Sequence, residues 1–181
     1  MTYLRWLDKL NRLAGVFLGV AFGLMTILIF LQVLVRFVFT NFGLNISFPW
    51  TEEISRYLMI WVVFVGAAVS MQKDNMIQLE AFVNMLPITF GKVVKIASLI
   101  ITAVFFSYLI FISYEQVIDG MNQTSPVMGV PMAYAFASIL MGSVLMLLNI
   151  LGLLVESYVT KKDIRYMSTP EIEEIMENQI D

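Results

Sequence analysis

The sequence predicts an all-α integral membrane protein: four transmembrane helices, amphipathic helices at the N-terminus and in one loop, and both termini in the cytoplasm. Three observations carry that expectation. Of 181 residues, 59% are apolar and only 14% charged, whereas an ordinary soluble domain has about a quarter of its residues charged. The charges gather at the margins of long uncharged runs, and the mean hydropathy is +0.82. The lysines and arginines also fall mostly on one side of the alternation that those runs define.

The first run, Leu13 to Val35, lies between Arg12 and Arg36. It measures about 35 Å as a helix, enough to cross a core of about 30 Å with some tilt. Arg5, Lys9 and Arg12 precede it in the manner of a secretory signal, but a signal core has only about 7–15 apolar residues. An uncleaved first span is expected. Further spans are expected at about 54–72, 96–114 and 131–155, which gives a membrane domain over 1–160 and an acidic tail over 161–181.

Four crossings place Arg5, Lys9, Arg12, Lys73, Lys92, Lys95, Lys161, Lys162 and Arg165 on one side, with Arg36 and Arg56 on the other. The positive side is the cytoplasmic one. The loops near 37–53 and 115–130 then face the opposite compartment.

Outside the spans, Tyr3, Leu4, Leu7, Leu10 and Leu13 form one stripe that suits a helix lying in the interface, with Trp6 near the headgroups. Met76, Leu79, Phe82, Val83 and Leu86 form a weaker stripe that Pro87 ends. Membrane-surface packing accounts for both. In the tail, Thr169-Pro170 followed by Glu171, Glu173, Glu174 and Glu177 marks a short helix start. It is expected to be solvated, with partner docking as the alternative.

The chain has no cysteine and no histidine. That removes disulfides, Fe–S clusters, bis-histidine haem ligation and the commonest general base. No cofactor or metal site is expected, and a net charge of −3 gives no sign of nucleic-acid binding.

The residues most able to carry chemistry lie in Trp50–Ala68, where a charged helix start runs directly into a span. Glu52 and Glu53 precede Arg56 by four and three residues, so a helix gathers all three. Helix-start chemistry explains them, since carboxylates favour the positive end of the helix dipole. A cation or proton site is the alternative, but it would need oxygen ligands converging in the membrane interior. Arg36 is expected to pair with Glu115 or Glu52 where the bundle gathers its ends. The spans hold only uncharged polar groups such as Gln32, Thr102, Ser143 and Asn149, not the buried acids of an ion pathway. Gly15, Gly19 and Gly23 form a small-residue stripe suited to close helix contact, within the chain or with another subunit.

The ordered set Trp50, Glu52, Glu53, Arg56, Trp61, Phe64 and Gly66-Ala67-Ala68 resembles the small membrane (Q-type) subunit of the TRAP transporters, the tripartite ATP-independent periplasmic systems of bacteria and archaea. Thr124-Ser125-Pro126, Gly129-Val130-Pro131-Met132 and Arg36 extend the resemblance over roughly residues 10–158. The chain departs from the family pattern at Asn75, where a histidine is frequent, and at Leu140-Met141-Gly142, where Pro-x-Gly is frequent.

The resemblance implies a non-enzymatic subunit, embedded in lipid of the inner membrane. It would brace a large membrane subunit that holds the sodium and organic-acid sites, and help to dock a periplasmic substrate-binding protein. On that footing Arg36, Trp50, Glu52, Glu53, Arg56, Trp61, Gly66, Ser125, Pro126 and Pro131 are expected to serve packing or docking. The competing expectations are a self-associating small transporter, a passive anchor for another complex, and a membrane enzyme.

Overall fold

The absence of proline inside the apolar runs lets each one continue as helix until a turn signal stops it. The computed structural model describes residues 2–39, 48–72 and 88–160. It contains α1 (Thr2–Leu34), which widens into a π-helical turn (Val35–Phe39), then α2 (Pro49–Gln72), α3 (Ile88–Gly120) and α4 (Ala133–Thr160). All four are long and apolar enough to cross a membrane. Pro49 occupies the first position of α2, where its missing N–H costs nothing.

Two boundaries differ from expectation. Residues 3–13 do not form a separate interfacial helix; they run without a break into α1, because nothing between Thr2 and Leu34 interrupts helix propagation. The helix that holds the expected third span already starts at Ile88, so Lys92 and Lys95 belong to it, and Lys95 is buried. The expected amphipathic stretch at 76–86 and the acidic tail at 161–181 lie outside the described residues.

The helices do not close into a bundle. α1 lies along α2, α2 along α4, and α4 along α3, with a brief approach of α1 to α4. Among the described residues α3 makes no close backbone approach to α1 or α2. The result is an open row in the spatial order α1–α2–α4–α3. The two inner helices are well covered: beyond its exposed first residues Pro49 and Trp50, α2 exposes a narrow stripe at Glu52, Arg56, Met59, Val63, Ala67 and Ser70. The outer helices show broad apolar faces, including Val20, Ile27 and Phe30 on α1 and Ile101, Val104 and Phe111 on α3.

Contact within the row is made by spacing and by small residues. On α1 the covered positions Leu7, Ala14, Leu18, Ala21, Leu28 and Val35 fall on a three–four repeat, the seam of left-handed helix pairs. Val65, Ala68 and Met71 of α2 meet Leu145, Met146 and Ile150 of α4 in the core. At Gly142 the two helices come so close that a Cβ would stand 2.8 Å from the Phe64 backbone carbonyl carbon. Only glycine permits that approach. The Gly15, Gly19 and Gly23 stripe, by contrast, has no neighbour within 4 Å of where each Cβ would be. The close contact thus sits on α4, and the α1 stripe is unfilled within the described chain.

At the end of the row that carries both the start of α1 and the end of α4, here the terminal end, a buried amide clamp joins three helices. Asn11 Nδ2 donates to Asn149 Oδ1 at 2.7 Å, and Asn149 Nδ2 donates back to Asn11 Oδ1 at 2.9 Å. Asn149 Nδ2 also donates to the Ala68 carbonyl at 2.6 Å, and Asn11 to the Leu7 carbonyl at 3.0 Å. Both asparagines are almost fully buried, at 2% and 1% exposure. Gln72 bonds to Asp8, and Tyr3 to the Leu148 carbonyl, at the same end.

Asn149→Leu leaves the Asn11 amide without its partner, at an expected cost of about 1–2 kcal/mol. The Asn11→Leu/Asn149→Leu double variant is expected to cost less than the sum of the two singles, because no buried amide is then orphaned. Unfolding midpoints in detergent measure both; strictly additive losses would show that the amides are not coupled.

Candidate functional site

The opposite end of the row is built on the first turns of α2. Thr51 Oγ1 donates to the Phe48 carbonyl at 2.7 Å and Ser55 Oγ to the Thr51 carbonyl at 2.8 Å. Both side chains are buried, so this turn is fixed against the rest of the protein. The fixed turn separates the two adjacent carboxylates. Glu52 points outward and meets Arg56 at 3.0 Å, with both side chains largely exposed at 59% and 63%. Glu53 points inward and is only 8% exposed.

The inward carboxylate finds its partner 75 residues away. Met128 N–H donates to Glu53 Oε2 at 2.9 Å, and the Tyr57 hydroxyl donates weakly to Oε1 at 3.5 Å. Met128 belongs to the connection at 121–132, which has a built shape. Ser125 N–H donates to the Val130 carbonyl at 2.9 Å, and Gly129 N–H to the Ser125 carbonyl at 3.1 Å. Val130 N–H reaches the Ser125 hydroxyl at 3.3 Å, and Thr124 forms an antiparallel bridge with Pro131. Gly129 has φ of 66°, a left-handed turn that side chains disfavour. The turn directs the Met128 N–H at Glu53, a charge-assisted bond in a buried setting.

A second tie lies farther along α2. Trp61 Nε1 donates to the Tyr134 carbonyl at 3.2 Å, in the first turn of α4. Its ring meets Phe17 of α1 edge-on, with centroids 5.7 Å apart. Gly66 accommodates Leu18 of α1 at 3.9 Å from its would-be Cβ.

The structure therefore joins most of the residues singled out from sequence. Glu53, Ser125 and Pro131 form one assembly, with Pro126 exposed on its outer surface. Trp61 and Gly66 hold α2 to its two neighbours. Trp50 is 45% exposed and stacks edge-on with Phe48. Val127 and Met128 expose their side chains beside that carboxylate-held backbone.

Arg36 stands apart. It is exposed in the π-helical turn, and Glu52 is taken by Arg56. Pairing of Arg36 with Glu115 does not form, because α1 and α3 occupy opposite edges of an open row.

Sequence reasoning missed Thr51, Ser55, Met128, Tyr134 and Asn11. Two of these contribute only a backbone group, which no side-chain pattern reveals. Asn11 did leave a trace: it is the polar residue on the three–four seam between Leu7 and Ala14. Among the described residues no three His, Cys, Asp or Glu side chains converge as a metal site would require. The arrangement holds backbone in place and presents a shaped surface.

The family model described as tripartite ATP-independent periplasmic transporters, DctQ component, matches residues 25–160. A protein of Haemophilus influenzae described as a TRAP transporter small permease is 35% identical over 122 residues, covering 66% of this chain and 72% of that relative.

Glu53→Ala is expected to release Met128 N–H and loosen the connection, at a local cost of about 1.5–3 kcal/mol. Hydrogen exchange at the Met128 amide should accelerate at least about tenfold, while Glu52→Ala, which breaks only an exposed pair, leaves it unchanged. Equal protection in both variants would show that the carboxylate does not hold the turn.

Proposed function

The chain belongs to the DctQ component family of the tripartite ATP-independent periplasmic (TRAP) transporters, and from that premise we propose that it is the small permease subunit of a sodium-driven importer of an organic acid. The substrate class in this reading is a dicarboxylate, a sialic acid or a similar acid delivered by a periplasmic binding protein. A large membrane subunit carries the ion and substrate sites. This chain extends that subunit's static scaffold and contributes to the outer surface on which the binding protein docks.

The observation that carries the accessory role is the use made of Glu53. A buried acid at the head of a membrane helix is a default candidate for an ion site, yet here its carboxylate accepts from the Met128 N–H and the Tyr57 hydroxyl. It serves to shape a connection. The exposed apolar faces of α1 and α3 support the same role, since an open row leaves two edges for lipid or for a larger membrane partner.

In this reading the protein lies in the inner membrane of a bacterium or archaeon. The clustered cations of the terminal end face the cytoplasm. The Glu53–Met128 assembly, Trp50, Pro126 and the exposed Glu52–Arg56 pair then face the periplasm. Arg36 lies on the same side.

The expected outcome is co-purification with a large membrane protein encoded nearby, and no solute uptake by this chain alone in proteoliposomes. Arg56→Glu or Glu53→Lys in the assembled system should reduce sodium-dependent uptake while the order of preference among organic acids stays the same. Sodium-dependent uptake by the isolated chain, or a changed substrate preference in these variants, would overturn the assignment.

A further inference from the structure

α1 meets α4 at the terminal end, where Tyr3, Leu7 and Asn11 reach Leu148, Gly152 and Asn149. Beyond Asn11 the two helices part. The gap between them is a groove of about 640 Å³. Ala14 and Phe17 stand on one wall and Met141 and Val144 on the other, with Trp61 and Val65 of α2 as the floor. Its lining is entirely apolar except for the Trp61 N–H, and that group already donates to the Tyr134 carbonyl. An occupant receives no hydrogen bond here and must itself be hydrocarbon.

From Leu140 to Leu148 the groove runs about 12 Å along α4, at about 1.5 Å per residue. An extended acyl chain fits that length and volume.

Charge then selects the headgroup. Lys9 lies one helical turn before Leu13 of the lining, and Arg5 one turn before Lys9, both exposed. Cations beside the mouth of a hydrocarbon slot suit a phosphate group at the membrane interface.

We propose that the α1–α4 groove binds one acyl chain of an anionic phospholipid whose headgroup rests against Lys9 and Arg5. The lipid wedges the row where its own helices leave a gap, and Trp61 forms the floor on which the chain lies. This inference concerns the chain in a bilayer and does not rest on its part in transport.

Trp61 provides the readout. In the full chain carrying Trp6→Phe and Trp50→Phe, Trp61 is the one remaining tryptophan. The protein is reconstituted in phosphatidylcholine vesicles containing a minor fraction of phosphatidylglycerol or phosphatidylcholine brominated on its acyl chains. At equal fractions, brominated phosphatidylglycerol is expected to quench Trp61 several-fold more effectively. Lys9→Gln and Arg5→Gln should each lower that preference by about fivefold or less, and Ala14→Phe or Val144→Phe should abolish quenching of either kind.

Equal quenching by the two lipids in the parent protein, which requires no groove variant to fold, would overturn the choice of headgroup. Quenching that survives both groove-filling variants would mean that only bulk lipid touches Trp61. Absence of quenching by either lipid would mean that protein closes the groove. Either of these last two results overturns the site.

Discussion

Inside a bilayer a polar group that gives up water must find its partner within the protein. That constraint organises this molecule more than hydrophobic burial does, because lipid is as apolar as the core and supplies no drive to bury leucine. The Asn11–Asn149 amide pair is its plainest expression. Two side chains that would each be costly alone satisfy each other, and in doing so bring α1, α4 and the Ala68 carbonyl of α2 to one point. The register of three helices follows from that point. Glu53 plays the corresponding part at the other end, where its carboxylate fixes the connection between α3 and α4 against α2.

Between these two polar ties the row is held by close approach. Gly142 lets α4 lie against the Phe64 backbone, and the three–four seam of α1 fits along α2. Among the described residues α3 follows α4 alone. An assembly of this kind has two well-covered inner helices and two edges. Open edges in a membrane are tolerable because lipid covers them, and they give the chain surface for association that a closed four-helix bundle would have hidden. The accessory role proposed for the subunit is consistent with that geometry, since a scaffold needs stiffness and surface more than it needs a cavity lined with charge.

The splitting of Glu52 from Glu53 carries the link from local structure to function. Adjacent helix positions are about 100° apart, so neighbouring carboxylates face different environments. One remains with Arg56 in solvent, the other enters the protein and bonds to a backbone amide. A pair that resembles a two-acid site is in fact one surface charge and one structural anchor.

Composition and charge spacing alone determined the four long apolar runs and the all-helical class, since hydrocarbon thickness imposes run length directly on sequence. The WTEEISR and Ser125–Pro131 segments were also legible, as ordered motifs. What no periodicity encodes is that these two segments touch: their contact passes through the Met128 backbone N–H, a group every residue but proline carries. The spatial order α1–α2–α4–α3 was equally hidden, because lipid-facing and helix-facing apolar residues have the same chemistry. The expected Arg36–Glu115 pair failed for that reason, and residues 3–13 joined α1 because an amphipathic stripe does not state whether its helix bends. Tertiary structure decided which carboxylate turns inward, which glycine makes the contact and which helices remain at the edges, all of them consequences of packing between segments far apart in the chain.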